Sequence, residues 1–168
     1  MTTKRSSNKQ PAFSPISYLE ESSENMGWEC EYQDETEIRL KFGQDWGLCA
    51  MDWLWVEEWH TLSCIVSSNM HIPEERQDDI RDLILMINEQ MWVGHFDLSQ
   101  GGHPTFRYSL LVKGLNRKQV GNMIEKTIEI ALREWARYHA AFHFVSWGGA
   151  ESSQKMLSPT LIETAGEA

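Results

Sequence analysis

The chain has 168 residues, 41% hydrophobic and 24% charged, which suits one globular domain whose core needs no disulfide or metal staple. Its net charge is −10; with Lys4, Arg5 and Lys9 set aside, the remainder carries 12 basic against 25 acidic side chains. Such a body repels phosphate backbones and anionic bilayers, which excludes general nucleic-acid binding and docking on a membrane surface, and favours solubility or a basic partner.

Residues 1–13 begin with basic residues but lack an apolar signal core, and their Ser, Thr, Asn and Gln content predicts a disordered leader. Residues 15–26 (PISYLEESSENM) read as a first helix, opened by Pro15 and closed by Gly27, with Ile16 and Leu19 on its apolar stripe. From Trp28 to Ile72 the period becomes two. Ile38, Leu40 and Phe42 alternate with Glu37, Arg39 and Lys41, which marks a half-buried strand over 37–42. Gln44, Asp45 and Gly47 supply a turn, after which 48–56 and 59–67 read as two further strands joined tightly through Glu57 and Glu58.

Pro73 ends this run, and 73–91 switches to helical spacing, with Ile80, Leu83, Ile84, Ile87 and Met91 on one stripe. Residues 92–98 read as a fourth strand, Gly101 and Gly102 as a hairpin turn, and 105–113 as a fifth strand with Phe106, Tyr108, Leu110 and Val112 on one side. Asn116 can cap a last helix over 117–140; residues 141–147 could continue it or turn back as strand. An acidic tail, 150–168, carries a short apolar insert: Met156, Leu157, Leu161 and Ile162. The order α-βββ-α-ββ-α predicts an α+β domain over 14–149, with a mostly antiparallel sheet packed against helices.

The chemistry-bearing residues form no catalytic set. His95 and Asp97 share one side of a strand, and His103 could approach across the hairpin, but a metal needs three or four converging ligands. Cys30, Cys49 and Cys64 are odd in number and include no CxxC; they read as free thiols in a reducing cytosol, with Cys49 and Cys64 able to face each other. Adjacent acidic pairs such as Glu57-Glu58 diverge, and no phosphate loop or GxSxG elbow occurs. Neither a catalytic residue nor a metal or cofactor is therefore expected.

The eight Trp are the unusual feature. Trp53 and Trp55 share one side of a strand, and Trp59 lies just across the turn. They either pack under a helix or form an aromatic platform on an open sheet face. On the platform reading, Trp53, Trp55, Trp59, Trp92 and His95 are the protein-contact residues, because aromatic rings bury much area with little entropy loss.

The stretches INEQMWVGHFDL (Ile87 to Leu98), FRYSLLVKG (Phe106 to Gly114) and AFHFVSWGG (Ala141 to Gly149) resemble the YbjN-domain family. FGQDWG (Phe42 to Gly47) and the closing ETAGEA (Glu163 to Ala168) are similar to its alphaproteobacterial version. The resemblance spans roughly residues 14–168. It implies a bacterial sensory transduction regulator with a fold like that of type III secretion chaperones, a twisted antiparallel sheet flanked by helices and often dimeric. It brings no catalytic residues. The expected function is a non-enzymatic, chaperone-like or regulatory protein-binding module of the cytosol, a homodimer with no nucleic-acid or membrane partner. The alternative is a small-molecule sensor with a pocket between sheet and helices.

Overall fold

Alternating apolar residues build the sheet, and three amphipathic helices cover one side of it. The structure, a computed structural model, describes residues 14–148. The expected leader 1–13 and tail 150–168 lie outside the described residues. The elements run α1 (Pro15–Met26), β1 (Glu29–Tyr32), β2 (Glu37–Gln44), β3 (Gly47–Val56), β4 (Thr61–Ser68), α2 (Gln77–Asn88), β5 (His95–Leu98), β6 (Pro104–Leu111) and α3 (Arg117–Trp147). The strands form one antiparallel sheet in the order β1-β2-β3-β4-β6-β5. The architecture is the expected α+β one.

Local chemistry sets the boundaries. Gly27 closes α1 in a left-handed conformation (φ 69°), where its N–H donates to Glu24 O and the N–H of Trp28 donates to Ser23 O. Asn116 and Gln119 form a reciprocal capping box at the start of α3: each side-chain oxygen accepts the other's backbone N–H at 3.0 Å. The α3 helix then runs unbroken through 141–147, because Phe142 and Val145 keep the buried stripe in helical register. The α2 stripe of Ile80, Leu83, Ile84 and Ile87 is buried, each side chain contributing about 1.5–3 kcal/mol.

The core is one cluster. It contains Ile16 and Leu19 of α1, the α2 stripe, Ile124, Trp135 and Phe142 of α3, and the inward residues of β2, β3, β4 and β6. Since all three helices share this cluster with one side of the sheet, they cover a single face. Phe96, Phe106, Trp135 and Phe142 interlock at its centre with ring centroids 5.2–5.8 Å apart.

The structure corrects four expected boundaries. The helix of 73–91 is a short 3-10 turn, Glu74–Arg76, followed by α2, and it stops at Asn88. The strand of 92–98 shrinks to β5, because Trp92, Val93 and Gly94 form the link into it. Gly94 has φ 71°, and a Cβ there would lie 2.4 Å from Phe106 Cζ, so only glycine lets the chain pass over that ring. Trp59 does not begin a strand; it ends a 3-10 turn, Glu57–Trp59, and β4 starts at Thr61. Residues 29–32, which lie outside the expected strands, form β1 and pair with residues 38–41 of β2. Four residues with two Glu carry little periodic signal, and the pairing itself defines that strand.

Candidate functional site

The face of the sheet away from the helices is exposed. Along β4 burial alternates strictly, with Leu62, Cys64, Val66 and Ser68 inward and Thr61, Ser63, Ile65 and Ser67 outward. Register then places every other outward residue. One row across the sheet reads Glu31, Arg39, Asp52, Ile65, Arg107, His95. On one side of it follow Glu37, Leu54, Ser63, Ser109 and then Val56, Thr61, Leu111; on the other runs Lys41, Ala50, Ser67, Thr105, Asp97.

Charge on this face is organised in pairs. Asp52 accepts two hydrogen bonds from Arg39, at 2.5 Å from Nε and 3.1 Å from Nη2. The planar fork of arginine matches a carboxylate in this way, and the pair raises the Arg39 guanidinium above its ordinary pKa. Lys41 pairs with Glu31, and Arg107 Nε lies 3.3 Å from Asp97 Oδ2. Toward the β3–β4 turn the face turns aliphatic: Leu54 is exposed, Leu111 is 75% exposed, and Trp59 in the turn is 68% exposed.

The outer edge beside β5 is closed to an added strand. Asn88, the last residue of α2, donates from Nδ2 to Phe96 O at 3.0 Å and accepts the Phe96 N–H at 2.8 Å through Oδ1. The Leu98 N–H donates to Asp97 Oδ1 at 2.8 Å. A side-chain amide thus takes the place of a neighbouring strand on this edge.

The predicted contact residues are scattered. Trp53 stands opposite Cys64 and Ile38 on the helix side and is 0% exposed, so it belongs to the core and not to a platform. Its Nε1 is buried without a hydrogen-bond partner, so packing and not hydrogen bonding holds the ring. Trp55, on the same side as Trp53, is half-buried and packs against the core. It lines a groove of about 430 Å³ together with Pro15, Glu35, Glu57, His60 and Val112. Trp59 is exposed in its turn, and Trp92 is 99% exposed in the α2–β5 link. His95 lies on the open face, in register with Arg107. The open face therefore exists without tryptophan. The residues that line it, Leu54, Leu111 and the Arg39–Asp52 pair, were missed as candidates. Strand alternation from Glu37 and Leu62 onward was the signal that could have found them.

The other candidates separate as well. His103 donates from Nδ1 to Met70 O, 2.8 Å away, with its ring against His71, while Asp97 pairs with Arg107. Among the described residues no three His, Cys, Asp or Glu are grouped to hold a metal ion. Cys49 and Cys64 do not face each other: Cys49 pairs with Ser68, and Cys64 with Trp53. Burial pushes the Cys49 thiol up to about 12 and Cys64 well above its ordinary value, which keeps both protonated and unreactive.

No helix among the described residues is long and apolar enough to cross a membrane. No curated protein matches the chain. A family model described as "YbjN: Putative bacterial sensory transduction regulator" matches residues 15–134, from the start of α1 to within α3, and its description supports a regulatory role. With the match covering the sheet, both earlier helices and more than half of α3, the chain belongs to the YbjN family.

Proposed function

We propose that the protein works without catalysis, as a regulatory module of the bacterial cytosol that binds another polypeptide on the uncovered face of its sheet. One observation carries this reading: three helices crowd onto one face, and the other stays open with exposed Leu54 and Leu111 beside a row of paired charges. Exposed aliphatic side chains rimmed by polar groups are the surface chemistry of a protein contact. The closed β5 edge disfavours strand addition at that end of the sheet.

A second copy of the chain is the simplest occupant. The row from Glu31 to His95 carries both signs, so two copies related by a twofold axis can pair Arg39 and Arg107 of one with acidic groups of the other. The test is sedimentation equilibrium of the wild type, of the double variant Leu54→Asp/Leu111→Asp, and of Leu85→Asp on the exposed side of α2. The wild type and the α2 variant are expected to be dimers and the face variant a folded monomer. A protein captured by the wild type and the α2 variant, but lost with the face variant, supports the same surface. A monomeric wild type whose captured proteins ignore the face substitutions removes the proposal.

A further inference from the structure

The groove beside Trp55 has the chemistry of a binding site. We infer that it takes an alkyl cation, an ammonium or guanidinium group on a short aliphatic stem. The inference rests on the alternative sensor reading of the chain and not on the open face. The groove forms where the β3–β4 turn meets the starts of α1 and α3, and it encloses about 430 Å³. The Trp55 N–H donates to Thr36 O at 2.7 Å, and the Val112 N–H donates to His60 O at 2.9 Å. These two backbone bonds tie the acidic β1–β2 turn to β3 and the end of β6 to the β3–β4 turn.

Three properties of the lining agree. Its floor is apolar, with Val112 and Val120 buried and Leu115 packed against the core, which suits a methylene stem. Its wall is the half-buried face of Trp55, the ring type that attracts cations most strongly. Its rim carries Glu35 and Glu57, and neither carboxylate has an ion-pair partner among the described residues. Elsewhere on this surface carboxylates such as Asp52 and Asp97 are paired.

Two helix starts also border the groove, and each carries roughly half a positive charge. At α3 the capping box already occupies the first free amides. Two full carboxylates therefore outweigh the dipoles, and the site is net negative. A capping histidine borders the groove. His60 holds a left-handed conformation (φ 50°, ψ 44°), the only positive φ outside glycine among the described residues. Its Nδ1 is 2.7 Å from Glu57 O, and its ring centroid is 6.3 Å from that of Trp55. His60 is the C-cap of the 3-10 turn Glu57–Trp59, where its N–H donates to Glu57 O at 3.1 Å.

Nitrogen-15 spectra of the full chain test this, read at the Trp55 indole and the His60 amide. The probes are agmatine, N-acetyl-arginine amide and the neutral N-acetyl-citrulline amide. Saturable shifts at both reporters are expected with at least one cation, and binding about tenfold or more weaker with citrulline. Agmatine binding shows that a small-molecule cation suffices; binding of the arginine amide alone identifies the source as a polypeptide side chain. The variant Glu35→Gln/Glu57→Gln, altered only at exposed positions, should bind about fivefold more weakly with an unchanged melting temperature, and added salt should weaken the wild type. The assignment is overturned if neither cation gives a saturable shift by about 10 mM. It is equally overturned if citrulline binds as well as arginine, which would leave a pocket without cation chemistry; neither result bears on the open face.

Discussion

Trp53 and Trp92 show how far two identical side chains can differ in what they do. Trp53 is sealed between β2, β4 and the helices, whereas Trp92 is 99% exposed in a link. Truncating the first leaves a large cavity; truncating the second removes a ring that water already surrounds. Trp53→Ala should therefore cost about 3–5 kcal/mol and Trp92→Ala less than about 0.5 kcal/mol, measured by urea unfolding. Comparable losses would mean that Trp92 is held against something the fold buries. The thiols make a second residue-scale case. Cys49 and Cys64 are buried, so the folded state favours their protonated form and their folded pKa values lie above the unfolded value of 9.0. The stability they contribute is complete below about pH 9 and is lost as pH rises from there toward 12. Stability measured between pH 8 and pH 11 should fall on the alkaline side, and replacing both residues by Ala or Val should flatten that fall. An alkaline limb that is unchanged in the double variant would show that other groups cause it.

At the scale of elements, the contact between α2 and β5 has the most to teach. A four-residue edge strand is weak alone, and its outward N–H and C=O groups invite another chain. Asn88 satisfies both groups of Phe96 at once, which only a side chain with a donor and an acceptor can do. Asn88→Ala should destabilise the protein by about 1–3 kcal/mol and raise light scattering on mild heating, as the freed edge pairs between molecules. Asn88→Asp keeps the acceptor and loses the donor, so it should fall between the two. A fully stable, non-aggregating alanine variant would show that water replaces the amide at no cost. Asn88 reaches the strand as the last residue of α2, and the chain then uses residues 89–94 to turn and enter β5.

For the whole molecule, much of the fold was legible. The helix over 15–26, the alternation of 37–42 and the capping signal at Asn116 all correspond to elements of the structure, because period and cap chemistry act within a few residues. Residues 141–147 were ambiguous, since AFHFVSW is apolar enough for either state; contact of Phe142 with Phe96 and Trp135 decided for helix. The candidate site was less legible. A period of two says that Trp53 and Trp55 share a face with each other and not with Leu54, yet it cannot say which of the two faces the helices will cover. That choice sealed Trp53, left Trp55 on a groove wall and exposed Leu54.

Local pattern sufficed for the three helices, for β2 to β6 and for the two-sidedness of those strands, because dihedral preference and side-chain alternation are properties of neighbouring residues. Packing between distant segments set the strand order, the pairing of β1, the closure of the β5 edge and the face left bare. Each of these depends on contacts between residues far apart in the chain, where packing of three helices against one apolar surface outweighs any local preference.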